Sequence, residues 1–100
     1  MKRAAALAVL KAHEAELKQL GVVSASLFGS TARDTATESS DVDVAVRLDG
    51  SIRGFRAVGQ LERIREWLSE LLREPVDVIP EPVNPGPLTS SIDRDRCLVF

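Results

Sequence analysis

The sequence predicts an α+β fold in which a small mixed sheet carries its helices on one face. Three observations support this prediction: two long segments with helical spacing of apolar residues, three short segments rich in β-branched residues, and their order along the chain. The order helix, strand, strand, helix, strand favours helices packed together on one side of a sheet. A chain of 100 residues has the length of one ordinary domain, so we expect a single domain over residues 1–100.

The first predicted elements are a helix and a strand. Residues 3–20 contain no Pro or Gly, are rich in Ala, Leu, Glu and Lys, and end at Gly21, a residue type that commonly stops a helix. Apolar residues recur there in one stripe at helical spacing, formed by Leu7, Leu10, Leu17 and Leu20. Val22–Phe28 is apolar and β-branched with alternating serines, which is typical of a strand.

The clearest strand signal is the strict alternation over Asp41–Val46. Its valines face one side, and both aspartates and Ala45 face the other. Residues 29–33 before it turn the chain and are compatible with a short helix, and residues 35–40 are a polar loop.

The second half of the chain predicts one more long helix and two short strands. The helix covers Phe55–Leu72, and its predicted inward residues are Phe55, Val58, Leu61, Ile64, Leu68 and Leu71. Pro75–Ile79 is the third strand, and Pro80–Pro87, with four prolines and a glycine, is predicted to be loop. Thr89–Arg96 is compatible with one short helical turn, and Leu98–Phe100 with a last strand.

Composition and charge exclude several classes of protein. Hydrophobic residues make up 44% of the chain and charged residues 28%, which is globular composition. The net charge of −2 provides no basic field for nucleic acid, so we expect no direct nucleic-acid binding. No apolar run approaches the ~20 residues of a membrane span, so no membrane partner is expected. The single Cys97 excludes an internal disulfide, and we expect a cytoplasmic protein.

Two aspartates of the alternating segment form the first candidate site. Residues i and i+2 of a strand project from the same face with Cα atoms about 6.5–7 Å apart, so the carboxylates of Asp41 and Asp43 can converge while Val42 faces the core. Two unpaired carboxylates this close repel each other, and a divalent cation relieves the repulsion. Ligands that are all oxygen favour Mg²⁺ or Mn²⁺.

Two further features extend this site. Gly29 lets the backbone approach a phosphate closely, and Ser30 offers a hydroxyl and an N–H at the start of a turn. Asp77 lies between two valines that should point inward, and it shares the carboxylate face if its strand lies beside the Asp41–Val46 strand. Three carboxylates and a phosphate-holding turn are what two-metal phosphoryl or nucleotidyl transfer requires.

On these residues the chain resembles a known family. Gly29-Ser30, then ten residues, then Asp41 and Asp43 matches the G-S-x(10)-D-x-D signature of the DNA polymerase β-like nucleotidyltransferase superfamily. Leu27–Arg33 with Ser40–Asp43 looks like its smallest members, the minimal nucleotidyltransferases, and Pro75–Ile79 looks like the segment that supplies their third carboxylate. The resemblance spans essentially the whole chain and implies a polymerase β palm-like fold.

The resemblance implies a role for each matching residue. Gly29 and Ser30 would hold the β- and γ-phosphates of ATP. Asp41 and Asp43 would ligate the metal ions, and Asp77 would bind the second metal and help to activate the acceptor hydroxyl. The implied cofactor is Mg²⁺, as two ions, with Mn²⁺ as an alternative.

The polar residues around the motif each have two interpretations. Arg33 either contacts a phosphate or forms a structural ion pair, with Asp34 or Glu38 as candidate partners. Ser39 and Ser40 either cap the loop or contact a phosphate, and Ser40 is our candidate for that contact. The family usually has Gly where this chain has Asp34, and this extra carboxylate would weaken nucleotide binding if it pointed inward.

The resemblance also implies a partner. Minimal nucleotidyltransferases are commonly paired with a small helical HEPN protein, a ribonuclease toxin, which they neutralise by transferring AMP from ATP to it or by binding it. We therefore expect a protein adenylyltransferase that serves as the antitoxin in a hetero-oligomer with a HEPN-type toxin. A chain this small has little surface for an acceptor pocket, which favours a protein acceptor. Two alternatives stay open: a binding-only antitoxin, and the nucleotide-binding subunit of a two-chain small-molecule nucleotidyltransferase.

Overall fold

The computed structural model describes residues 2–33, 41–81 and 96–100, which form four strands and four helices. The strands are β1 (Val22–Phe28), β2 (Val42–Leu48), β3 (Val76–Glu81) and β4 (Cys97–Leu98). The helices are α1 (Arg3–Ala12), α2 (Glu14–Gln19), α3 (Gly29–Ala32) and α4 (Phe55–Leu72).

The strands form a mixed sheet in the order β3-β2-β1-β4. Strand β1 runs antiparallel to both of its neighbours, β2 and β4, whereas β2 and β3 are parallel. Parallel neighbours need a crossover connection, and α4 provides it between β2 and β3. This arrangement confirms the predicted α+β fold with a small mixed sheet.

The core lies between the sheet and the helices. The three valines of β2 are at most 1% exposed and belong to one cluster with the apolar faces of α1, α2 and α4. The fully buried helical residues in that cluster include Leu10, Leu17, Ile64 and Leu68. On the other face of the sheet, Phe28 and Ala45 form a second, small cluster with Ile79. The alternation over β2 therefore separates a core face from a face that carries the aspartates.

The first helical segment is broken, whereas the sequence predicts one helix. Helix α1 ends at Ala12 and α2 begins at Glu14. The imidazole Nδ1 of His13 donates to the carbonyl of Val9 at 2.9 Å, and the His13 N–H donates to Leu10 O at 3.2 Å instead. A side chain that takes the carbonyl four residues back competes with the helical hydrogen bond, and this competition accounts for the break.

Helix α4 has the predicted bounds, but the first two residues of its predicted inward row face solvent. Phe55 is 97% exposed and Val58 is 66% exposed, so the prediction that they point inward is wrong. The predicted row proceeds in steps of three residues, and each step turns the helix by about 300°, so the row drifts by about 60° per step. After three steps Phe55 lies opposite Ile64, which is fully buried. No helix among the described residues is long and apolar enough to cross a lipid bilayer.

The last two strands also differ from the prediction. Strand β3 includes Pro80 and Glu81, which the proline-rich composition assigns to a loop. A proline is tolerated there because β3 lies at one end of the described strand order, where it needs no hydrogen bond on its outer side. Strand β4 covers Cys97–Leu98, so it begins one residue and ends two residues earlier than predicted. The remainder of the proline-rich segment lies outside the described residues, as do residues 89–95 of the helical turn expected over Thr89–Arg96.

Candidate functional site

The three candidate aspartates lie at one end of the parallel strand pair. Asp43 in β2 and Asp77 in β3 are direct neighbours in the parallel register, and Asp41 immediately precedes β2. Adjacent strands are about 4.8 Å apart, so side chains at paired positions on one face are close. Asp43 is half-buried, whereas Asp41 and Asp77 are exposed. The structure therefore places the three carboxylates that the sequence singles out at the same end of the strand pair, where their charges affect one another.

The electrostatics of Asp43 reflect this proximity. Burial raises the pKa of the Asp43 carboxyl above its ordinary value, and the negative charges of Asp77 and Asp41 raise it further. The Arg33 guanidinium acts in the opposite direction and lowers this pKa. A half-buried carboxylate with two acidic neighbours is disfavoured in its charged form, and a bound cation would reverse that penalty.

We expect this repulsion to be measurable as stability without any ligand. The folded-state pKa of Asp43 is raised, so the folded protein keeps this proton to a higher pH than the unfolded chain does. The free energy of unfolding therefore falls as the pH rises from the ordinary pKa of Asp through the raised pKa of Asp43. Asp43→Asn removes this loss. The free energy of unfolding of Asp43→Asn minus that of the wild type should increase from pH 3 to pH 7. The increase should be less than ~1 kcal/mol because the site is partly solvated. Urea unfolding in EDTA at both pH values measures the difference; a gain that shrinks toward pH 7 contradicts the assignment.

The turn after β1 approaches Asp43 from the side opposite Asp77, because β1 and β3 flank β2. Phe28, the last residue of β1, is paired with Asp43, so Gly29 comes next to its carboxylate. Gly29 has φ +71°, and a Cβ atom added there would collide with Asp43 Oδ2 and lie 3.4 Å from its Cγ. The positive φ therefore favours glycine at this position, and a side chain there would also force the Asp43 carboxylate to move.

Helix α3 closes this turn. The Arg33 N–H donates to Gly29 O at 3.1 Å, and from the first helix Arg3 Nη1 donates to Ala32 O at 3.2 Å. Arg33 is exposed and close enough to Asp43 to affect its pKa, and Ser30 is half-buried in the same turn. Ser40 lies outside the described residues, as do the two acids considered as ion-pair partners of Arg33.

The carboxylates share a face without forming a closed metal cage. Within residues 2–33, 41–81 and 96–100, no three His, Cys, Asp or Glu side chains converge closely enough to form a metal-binding group. The donor chemistry nevertheless suits one kind of ion. Mg²⁺ prefers oxygen ligands and is usually held by one or two carboxylates together with waters and substrate phosphates. The residues present fit such an open site, which a nucleotide would complete.

Arg96 places a cation on the same face of the sheet and was not predicted. Its Nη1 donates to Ser26 Oγ at 3.2 Å in β1, and its guanidinium also pairs with Glu81 in β3, so it reaches across β2. Ser26 is paired with Ala45, two register positions from the Phe28–Asp43 pair. Arg96 therefore contacts the sheet two residues along the strands from Asp43. The contacts join residues 70 and 15 positions apart, so no local pattern in the sequence indicates them.

Comparison with known sequences identifies close relatives of this arrangement. The profile of the nucleotidyltransferase domain family matches residues 10–98. Two proteins of Methanocaldococcus jannaschii, MJ0126 and MJ1379, are described as candidate protein adenylyltransferases. MJ0126 is 34% identical over 89 residues, 87% of this chain and 87% of the relative. MJ1379 is 33% identical over 93 residues, 91% of each chain.

Comparison with solved structures shows the same fold at low identity. A toxin–antitoxin complex with AMP-PNP contains a chain with a TM-score of 0.71 and 17% identity, which covers 90% of this chain and 72% of that one. A complex of the tri-AMPylated HEPN toxin of Shewanella oneidensis with its MNT antitoxin contains a chain with a TM-score of 0.59 and 16% identity. The match covers 90% of this chain and 71% of that one. A crystal structure described as a candidate nucleotidyltransferase from Sulfolobus solfataricus has a TM-score of 0.54 and 22% identity. The match covers 96% of this chain and 80% of that one.

Proposed function

The chain belongs to the nucleotidyltransferase domain family, and we propose that it transfers AMP from ATP to a hydroxyl group of a partner protein, with pyrophosphate as the leaving group. The observation that carries this proposal is the register of Asp43 with Asp77 beside a turn whose positive φ favours glycine. This geometry supports a site with acidic ligands on one side and backbone N–H groups on the other. A nucleoside triphosphate with its metal ions has the matching charges.

In the proposed site Asp41, Asp43 and Asp77 hold two Mg²⁺ ions, or Mn²⁺ in their place. When bound, the metal supplies positive charge for the phosphates and lowers the pKa of the acceptor hydroxyl. Asp41 and Asp43 would hold the metal through which the triphosphate is oriented, and Asp77 would take part where the acceptor is deprotonated. The raised pKa of Asp43 supports the proposal, because carboxylates that repel one another gain most from a shared cation.

The turn after β1 is proposed to bind the β- and γ-phosphates. Gly29 permits the backbone to approach the anion, and Ser30 adds a hydroxyl donor. Arg33 supports the same role, because its positive charge lies near Asp43 and therefore near the proposed phosphates. Ser40 is a further proposed phosphate contact from the loop before β2.

A protein acceptor is the proposed substrate class, with a HEPN-type toxin as the partner in a hetero-oligomer. The names of both Methanocaldococcus jannaschii relatives, which cover most of this chain, support adenylyl transfer to protein. The similar complex from Shewanella oneidensis contains a tri-AMPylated HEPN toxin, which supports this partner class. Neutralisation by AMP transfer then assigns the chain the role of an antitoxin.

The metal requirement is tested by calorimetry of ATP binding. We expect wild-type affinity at least about tenfold higher in Mg²⁺ than in EDTA, a difference of ~1.4 kcal/mol. The Asp41→Asn/Asp43→Asn double variant should lose that difference and keep its fold, because both changes relieve like-charge repulsion. Asp49→Asn, an exposed aspartate at the far end of β2, is the matched control. Equal ATP affinity of the wild type in Mg²⁺ and EDTA contradicts the proposal.

A further inference from the structure

Helix α4 begins with an apolar surface that nothing in the described structure covers. Phe55 is 97% exposed and Val58 is 66% exposed, and both lie within one turn of each other. Gly59 follows on the same outward side, one turn from Phe55, and a Cβ atom there would meet no atom within 4 Å. We call Arg53, Phe55, Arg56, Val58 and Gly59 the Phe55 surface. Isolated exposed apolar residues are ordinary, but adjacent large ones on an outward helix face indicate an interaction site.

The Phe55 surface is positively charged although the chain carries a net charge of −2. Arg53 and Arg56 are exposed, and neither pairs with an acidic residue among those described. The first turn of α4 contains no acidic residue, so nothing there offsets the positive end of the helix dipole. Two unpaired arginines beside two apolar side chains fit a partner that offers carboxylates next to an apolar stripe.

We propose that the Phe55 surface docks an amphipathic helix of the acceptor protein, whose apolar stripe is flanked by acidic side chains. This inference rests on the proposed function, which requires a protein acceptor. Phe55 supplies the anchor, and Arg53 with Arg56 pairs with the acids of the docked helix. Gly59 has no packing role in the described structure, and glycine destabilises a helix interior by ~1 kcal/mol relative to alanine. Its lack of a side chain lets another helix approach closely.

The charges along α4 favour a protein over an anionic membrane or a nucleic acid. Glu62 and Glu66 continue the outward side that begins at Phe55, and both are exposed, with Glu62 paired to Arg65. An extended anionic surface that reached the arginines would also meet these acids. A docked helix with mixed charges can pair with both signs, and its contact can end where the acids begin.

The Phe55 surface lies at the opposite end of the sheet from the aspartates. The distance along β2 from Asp43 to Leu48, the last residue of the strand, is about 17 Å at ~3.3 Å per residue. The chain turns toward α4 only after Leu48. The acceptor is therefore held at one end of the molecule while its hydroxyl group is modified at the other. Docking does not require nucleotide, and nucleotide binding does not require docking.

Binding of the HEPN-type protein proposed as partner tests the inference through Phe55→Ala and the charge reversal Arg53→Glu/Arg56→Glu. We expect each to raise the Kd measured by calorimetry at least about tenfold, because buried aromatic and Arg anchors dominate interfaces. ATP affinity in Mg²⁺ should stay at the wild-type value. The matched controls are Leu98→Ala, whose side chain is 62% exposed on β4, and Lys11→Glu on α1. Both should bind the HEPN protein as the wild type does.

The outcomes separate this inference from the proposed function. If the wild type binds the HEPN protein and the Phe55 and arginine variants bind it equally well, the docking surface is wrong while the partner stands. If the wild type does not bind the HEPN protein, the proposed partner fails and the inference fails with it. Vesicles with phosphatidylserine provide the last arm: binding that Phe55→Ala abolishes would assign this surface to a membrane and overturn the inference.

Discussion

Replacing Gly29 with valine is expected to reduce the affinity for ATP about a thousandfold or more, ~4.2 kcal/mol. The valine Cβ would occupy the space of Asp43 Oδ2, and φ +71° is a backbone conformation that β-branched residues avoid. Both effects displace the turn that is proposed to hold the phosphates. Calorimetry with ATP in Mg²⁺ measures the loss, with circular dichroism to establish that the variant is folded at the temperature used.

Two comparisons make the Gly29 result specific. Gly50→Val introduces the same side chain in a turn where a Cβ atom meets nothing within 4 Å, and it should bind ATP as the wild type does. Ser30→Ala should cost less than Gly29→Val, because one hydrogen bond to a charged group contributes ~1.5–3 kcal/mol. A Ser30→Ala variant that binds ATP more weakly than Gly29→Val would contradict the assigned phosphate turn. Binding to the partner protein should survive in all three variants.

Replacing Asp77 with asparagine is expected to separate binding from transfer. Asp77 is exposed and paired with Asp43 in the register, so the variant should fold and should bind ATP within about threefold of the wild type. Transfer of labelled AMP to the partner should fall about a hundredfold or more, ~2.7 kcal/mol of transition-state stabilisation. A loss confined to the rate is the pattern of a residue that acts in the transition state rather than in ground-state binding.

The control for Asp77→Asn is the same change at an exposed aspartate away from the site. Asp49 accepts a hydrogen bond from the Ser51 N–H at 2.9 Å and lies beyond the other end of β2. Asp49→Asn should transfer AMP at the wild-type rate. Wild-type transfer by Asp77→Asn would show that the third carboxylate is assigned wrongly, while Asp41 and Asp43 would remain candidates.

The strand pattern predicted much of the fold because the alternation of residues depends only on local geometry. Asp41–Val46 alternates strictly, so its valines had to face the core and its aspartates the other side, and the structure has this arrangement. The resemblance of Gly29-Ser30 and Asp41-x-Asp43 to the family signature implied a shared site before their strands could be paired. The register that aligns Asp43 with Asp77 depends on how α4 crosses the sheet, which no local pattern specifies.

The remaining differences come from contacts between distant residues and from helical phase. Phe55 was predicted to point inward because it lies three steps of three residues before Ile64. The prediction was wrong because such steps follow the helical repeat only over short distances. The Arg96 contacts with Ser26 and Glu81 exist only once β1 and β3 lie on either side of β2. The break at His13 follows from one side-chain hydrogen bond to a backbone carbonyl, which propensity does not indicate.

The most direct measurement of the central claim is transfer of radiolabel from α-labelled ATP to the HEPN-type protein proposed as partner. In Mg²⁺ the wild-type chain should label that protein, and the Asp41→Asn/Asp43→Asn variant should leave it unlabelled while still binding it. Labelling by the double variant at the wild-type rate would contradict the carboxylate site. A wild-type chain that binds the HEPN protein and ATP but transfers no label would contradict the proposed enzyme and leave an antitoxin that acts by binding.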